Sequence, residues 1–110
     1  MRFFPNFARM TTQQPYTATD EKLAAYAKAL SHPIRVFILK FLEEQCGCFA
    51  GDISEQLPIA NSTVSQHLKA LKEAGLIHAT SNPPSIKYCI NKEAWQEAKQ
   101  LFQTFFTECC

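Results

Sequence analysis

"NSTVSQHLKALKEAGLI", residues 61–77, carries the pattern that decides the fold. Val64, Leu68 and Leu71 recur at helical spacing and define one apolar face. Asn61 or Ser62 suits the N-cap, and Gly75 closes the helix as its C-cap. With the apolar face inward, Ser62, Thr63, Ser65, Gln66 and Lys69 face outward. Upstream, "CFAGDISEQLP" (48–58) holds a short helix ended by Pro58. Downstream, "LIHATSNPPSIKYCIN" (76–91) has two apolar runs, 76–79 and 86–90, flanking "SNPPS". That arrangement is a β-hairpin with a long tip. A short helix, a tight turn, a helix and a hairpin together make a helix-turn-helix with a wing.

The flanks complete the layout. "TATDEKLAAYAKALS" opens with Thr19 or Asp20 as cap and places Leu23, Tyr26, Ala27 and Leu30 on one stripe. "SHPIRVFILKFLEEQ" begins with Pro33 in its first turn and is apolar nearly all round, the pattern of a central buried helix. "NKEAWQEAKQLFQTFF" is an amphipathic last helix bearing Trp95, Leu101, Phe102, Phe105 and Phe106. The predicted class is mainly α with a small β-hairpin, in the order ααααβα. Residues 1–19 read as a flexible arm, 20–107 as the folded domain and 108–110 as a cysteine-bearing tail.

Composition sets the broad class. The chain has 110 residues, 46% of them hydrophobic and 19% charged, which is the make-up of one soluble globular domain. No apolar run approaches the roughly 18–20 residues that a bilayer demands, so no membrane partner is expected. The N-terminus has no continuous apolar segment of the signal-peptide kind, so a cytoplasmic location is expected. Net charge is only +1, but it is unevenly spread. Between residues 61 and 92 four lysines stand against one acid, Glu73, whereas residues 20–56 carry six acids against four basic residues. The basic end is the one that holds the outward polar face of residues 61–73, as a surface facing phosphates requires. Short hydroxyl and amide side chains suit base edges in the major groove, with Lys69 for phosphate and Lys87 on the wing for the backbone or minor groove. An ordinary solvated helix face has the same composition, and the residues alone leave both readings open.

A resemblance separates them. "ALSHPIRVFILKFL", "DISEQLPIANSTVSQHLKALKEAGLI" and the later Tyr88-Cys89-Ile90-Asn91 resemble the ArsR/SmtB family of winged-helix repressors over roughly residues 20–106. The resemblance implies a homodimer joined through its first and last helices. It also implies a repressor of double-stranded operator DNA that lets go when a metal or metalloid ion binds, and no enzyme. Carried over by position, the DNA contacts fall on Ser62, Thr63, Ser65, Gln66 and His67, supported by Lys69. His32 and His78 read as structural, in the turn before the second helix and in the first strand.

Five cysteines remain: 46, 48, 89, 109 and 110. In a reducing compartment, clustered thiols point to metal binding or reactivity rather than to disulfides. Cys46 and Cys48 can chelate one ion only where the backbone is not helical, because residues two apart diverge on a helix and share a side in an extended chain. Gly47 favours the extended form. Thiolates select soft ions, trivalent arsenic among them. Arsenic-responsive members of the family carry a Cys-x-Cys at the start of the third helix. Here the pair lies a few residues early, with Phe49 and Gly51 in the usual thiol places. Cys109 and Cys110 supply a second pair able to complete a site with Cys46 and Cys48, whereas Cys89, in a strand, reads as a small buried residue. The expectation is therefore no obligatory cofactor, with As(III) or another soft metal as effector. Alternatives are a thiol/disulfide switch on the same fold and a winged-helix protein whose cysteines are incidental. A thiol enzyme is disfavoured, since no Cys-x-x-Cys or glycine-rich phosphate loop occurs.

Overall fold

The computed structural model describes residues 14–45 and 47–108. Eight elements follow one another: α1 (Ala18–Ala29), α2 (Pro33–Gln45), β1 (Cys48–Phe49), α3 (Ala50–Glu55), α4 (Asn61–Glu73), β2 (Ile77–Asn82), β3 (Ser85–Ile90) and α5 (Lys92–Glu108). The strands form one antiparallel sheet in the order β1-β3-β2. The expected two-stranded hairpin is thus a three-stranded sheet, because Cys48 and Phe49 pair with Tyr88 and Lys87 before α3 begins. Two residues are too few to show the alternation that marks a strand in a sequence.

Local chemistry explains where the helices begin and end. The cap of α1 is Thr17, earlier than Thr19 or Asp20: its hydroxyl accepts from the Asp20 amide while the Asp20 carboxylate accepts from the Thr17 amide. The domain's first helix therefore starts ahead of the expected boundary at residue 20. Neither Asn61 nor Ser62 caps α4; Ala60 occupies the N-cap without a side-chain bond, and Asn61 is already helical. At the other end Gly75 does close the helix, but from one residue beyond the C-cap position expected for it. Ala74 is the C-cap, Gly75 turns left-handed at φ +87°, and the amides of Gly75 and Leu76 donate to the carbonyls of Lys72 and Leu71. This turn delivers Leu76 and Ile77 straight into the core.

The core gathers Ile38, Leu39 and Leu42 of α2, Ile53 of α3, Val64, Leu68 and Leu71 of α4, and Leu76 and Ile77 at the start of the sheet. Tyr26 and Ala29 bring α1 to it, and Ala98 brings α5. Burying each large aliphatic side chain contributes on the order of 1.5–3 kcal/mol. The α2 helix is not buried all round: Phe37 lies on its exposed flank, stacked on Phe41.

Candidate nucleic-acid interface

The α3–α4 unit presents the site. Ile53 anchors the short α3, and Val64, Leu68 and Leu71 fix α4 beside it, so the opposite side of α4 is turned to solvent. Ser62, Ser65, Gln66 and Lys69 are all exposed there, while Thr63 is half-buried. No acid occurs on α4 before Glu73, in its last turn. The face is polar, short-chained and cationic at one end, and its open N-terminal amides add a favourable pole for phosphate.

His67, expected among the DNA contacts, is half-buried and engaged inside the molecule. Its Nδ1 accepts from the Arg35 Nε–H at 3.2 Å, and its ring lies 4.4 Å from that of His32, tilted by 49°. Burial holds the His67 imidazole below its usual titration range, helped by the neighbouring His32 and Arg35. Arg35 also donates from Nη1 to the Lys28 carbonyl at 3.2 Å, and His32 Nδ1 accepts from the Ile34 amide at 3.1 Å. His32 thus takes part in the turn before α2, as the sequence suggested. Arg35 is not legible as a site residue in the sequence. Its only sequence signal is its place after His32-Pro33, and nothing there foretells a partner on α4.

Lys87 lies on β3 rather than at the tip of the wing, and its stem passes over Gly47. Gly47 adopts φ +110°, and a Cβ at that position would stand 2.9 Å from both Lys87 Cε and Cys89 Sγ. The turn therefore demands glycine on two counts. His78 is exposed on β2, directly across from Cys89.

Of the four thiols considered as ligands, Cys46, Cys109 and Cys110 lie outside the described residues. Cys48 is in β1, buried against the core, where burial and the charge of Asp52 push its thiol above the ordinary range. Among the described residues, no group of three or more His, Cys, Asp or Glu is arranged to hold a metal ion. The described part of the molecule does not by itself assemble a metal centre.

The same layout occurs in known proteins. The family model described as "Bacterial regulatory protein, arsR family" matches residues 32–79, the stretch from α2 through α4 into β2. The chain is 36% identical over 85 residues to the HTH-type transcriptional regulator YgaV of Escherichia coli K12, spanning 77% of this chain and 86% of that one. It is 30% identical over 100 residues to the Biofilm growth-associated repressor of Xylella fastidiosa, spanning 90% and 83%. The ArsR-like transcriptional regulator from Rhodococcus sp. RHA1 shares the fold, with a TM-score of 0.72 over 84% of this chain and 86% of that one at 24% identity. With its helix-turn-helix, its wing and these relatives in agreement, the chain belongs to the arsR family of bacterial regulatory proteins and is a transcriptional regulator of the winged-helix type.

Proposed function

We propose that the protein is a homodimeric repressor that inserts α4 into the major groove of operator DNA and lays its wing on the adjoining backbone. The observation that carries this reading is the exposed row Ser62, Ser65, Gln66 and Lys69 opposite a fully buried Val64–Leu68–Leu71 face. A helix so anchored offers rigid side chains to base edges, and Thr63 and Lys87 add backbone contacts at its sides. Support for a repressor comes from the relative in Xylella fastidiosa that carries that description. Support for a dimer comes from Phe105 and Phe106, 45% and 72% exposed at the end of α5, where an apolar surface asks for a second copy.

The effector in this proposal is a thiophilic ion, trivalent arsenic first, taken by Cys46 and Cys48 with Cys109 and Cys110. The non-helical junction at Gly47 and β1 supports it, being the backbone form that two alternate thiols need. Ligation there would have to displace the Cys48 proton and draw the side chain from the core, which links ion binding to the base of the reading unit.

The test is binding of a duplex enriched by the full-length protein from a random-sequence pool. Ser65→Glu with Gln66→Glu lowers affinity by about a hundredfold or more, since two carboxylates then face phosphate and base acceptors. Unchanged affinity sinks the α4 reading. Arsenite added to the preformed complex releases the duplex, and Cys46→Ser with Cys48→Ser abolishes release. Release by peroxide with disulfide formation, and none by arsenite, replaces the ion with a redox effector.

A further inference from the structure

The cluster of Arg35, His67 and His32 is unlike the rest of the polar chemistry in the molecule. It joins three elements: the end of α1 through the Lys28 carbonyl, the start of α2 through Arg35 and His32, and α4 through His67. Arginine is always protonated and only donates. The Arg35 Nε–H therefore requires a bare Nδ1 on His67, so the neutral ring carries its proton on Nε2. His32 is restricted in the same sense, since its Nδ1 accepts from the Ile34 amide. Among the described residues the single salt bridge joins Lys22 to Glu97, so no carboxylate is ion-paired with Arg35. The guanidinium keeps its full positive charge while two neutral acceptors hold it in place.

We propose that Arg35 is a positioning residue for DNA binding: through His67 it fixes the recognition helix against the α1–α2 corner and sets which ring nitrogen of His67 carries the proton. This inference rests on α4 being the DNA-reading helix. Its consequence is a response to acid. A second proton on His67 has to enter at Nδ1, where it meets the Arg35 Nε–H head on. Among the described residues, the charged or titratable groups that face the ring are Arg35 from α2 and His32 from the preceding turn, and neither offsets the new charge. Protonation therefore opens the clasp between α2 and α4. Specific recognition then weakens even though the protein gains a cation, which by itself favours contact with any DNA.

Two measurements on the full-length chain test this independently. The first needs no DNA: nitrogen-15 spectra of the imidazoles. In the wild type at about pH 7.5, His67 is neutral and protonated on Nε2. Arg35→Gln raises its titration midpoint and lets the two tautomers mix. An unaltered midpoint and tautomer in that variant overturns the proposal. The second is the ratio of affinity for the pool-enriched duplex to that for a scrambled duplex of equal length. Arg35→Gln lowers this ratio by about tenfold at neutral pH, a typical coupling between two sites. His67→Asn keeps an acceptor near the place of Nδ1 and cannot titrate. Its ratio is therefore flat from about pH 7.5 to 5.5 while that of the wild type falls. A wild-type ratio in Arg35→Gln, or a wild-type pH slope in His67→Asn, refutes the assignment. Should Arg35→Gln fail to fold, Arg35→Lys replaces it: one ammonium cannot serve both His67 and the Lys28 carbonyl, so a smaller drop of the same sign is expected, and no drop refutes. Failure of the pool to yield any enriched duplex would count against the DNA-binding reading itself and leave the imidazole measurement to decide the Arg35–His67 link.

Discussion

Two polar clasps hold this molecule, and they are built from different chemistry. At the α1–α5 side, the buried Tyr26 hydroxyl donates to Glu97 at 2.6 Å, and Lys22 reaches the other carboxylate oxygen at 3.1 Å. At the α2–α4 side, Arg35 donates to an imidazole. The first uses groups that titrate far from neutrality. Burial, with the bond to Glu97 and its charge, pushes Tyr26 up to about 12, and the bonds from Tyr26 and Lys22 pull Glu97 below the usual 4.5. The second depends on a histidine whose ordinary value is 6.5. The helix pair proposed to join two subunits is thus insulated from physiological changes in acidity, while the reading helix is fastened by a group that can respond. A carboxylate opposite Arg35 would have erased that contrast.

The contrast breaks most visibly at Tyr26. Tyr26→Ala removes a fully buried ring between α1 and α5 and should lower stability by about 3–5 kcal/mol in chemical denaturation, with the dimer lost at the same time. The corresponding cut on the other side, His67→Ala, removes a half-buried group and one charge-assisted bond. About 1 kcal/mol is expected, with a larger effect on specific DNA binding than on denaturation. If the two substitutions prove equal in stability, the division into frame and adjustable joint is wrong.

Acidity sharpens the comparison. The lowered His67 value means that the unfolded chain takes the proton more readily, so this contribution is fully present above about pH 6.5 and is lost as pH falls through the folded-state value. Glu97 acts in the same direction but lower, its contribution disappearing only as pH falls below 4.5. Tyr26 acts at the other extreme: its contribution is whole below pH 10 and is lost as pH rises through about 12. A melting-temperature profile should therefore show an acid shoulder that His67→Asn removes and an alkaline limb that Tyr26→Phe flattens. The smallest change is expected for Lys22→Ala. Both partners of that ion pair are solvent-exposed, at 54% and 41%, and the melting temperature should hardly move.

Much of this arrangement is legible in the sequence alone, for definite reasons. Val64, Leu68 and Leu71 form a run long enough to show helical period, and Gly75 marks its end, so α4 and its outward side were legible. What sequence did not disclose was set by distant partners. Cys48 and Phe49 become a strand because β3 is there to pair with them, and Thr17 rather than Thr19 caps α1 because Asp20 can return the bond. His67 has the spacing of a DNA contact, but its side chain is claimed by Arg35, a residue thirty-two positions earlier. Cys48 illustrates the same point for the thiols. Its neighbour Gly47 correctly signals a non-helical junction, while its burial comes with the pairing to β3 and has no local signature.

The smallest strand has a mechanical consequence. With β1 joined to β3 by two residue pairs, the segment just ahead of α3 is stitched to the middle of the wing's central strand. The wing is therefore no free antenna. The hairpin has a direct path along β3 to β1, and from there to the front of α3, whose Ile53 sits in the same core as α4. The wing and α4 are thereby tied to one another twice, through β1 and through the shared core.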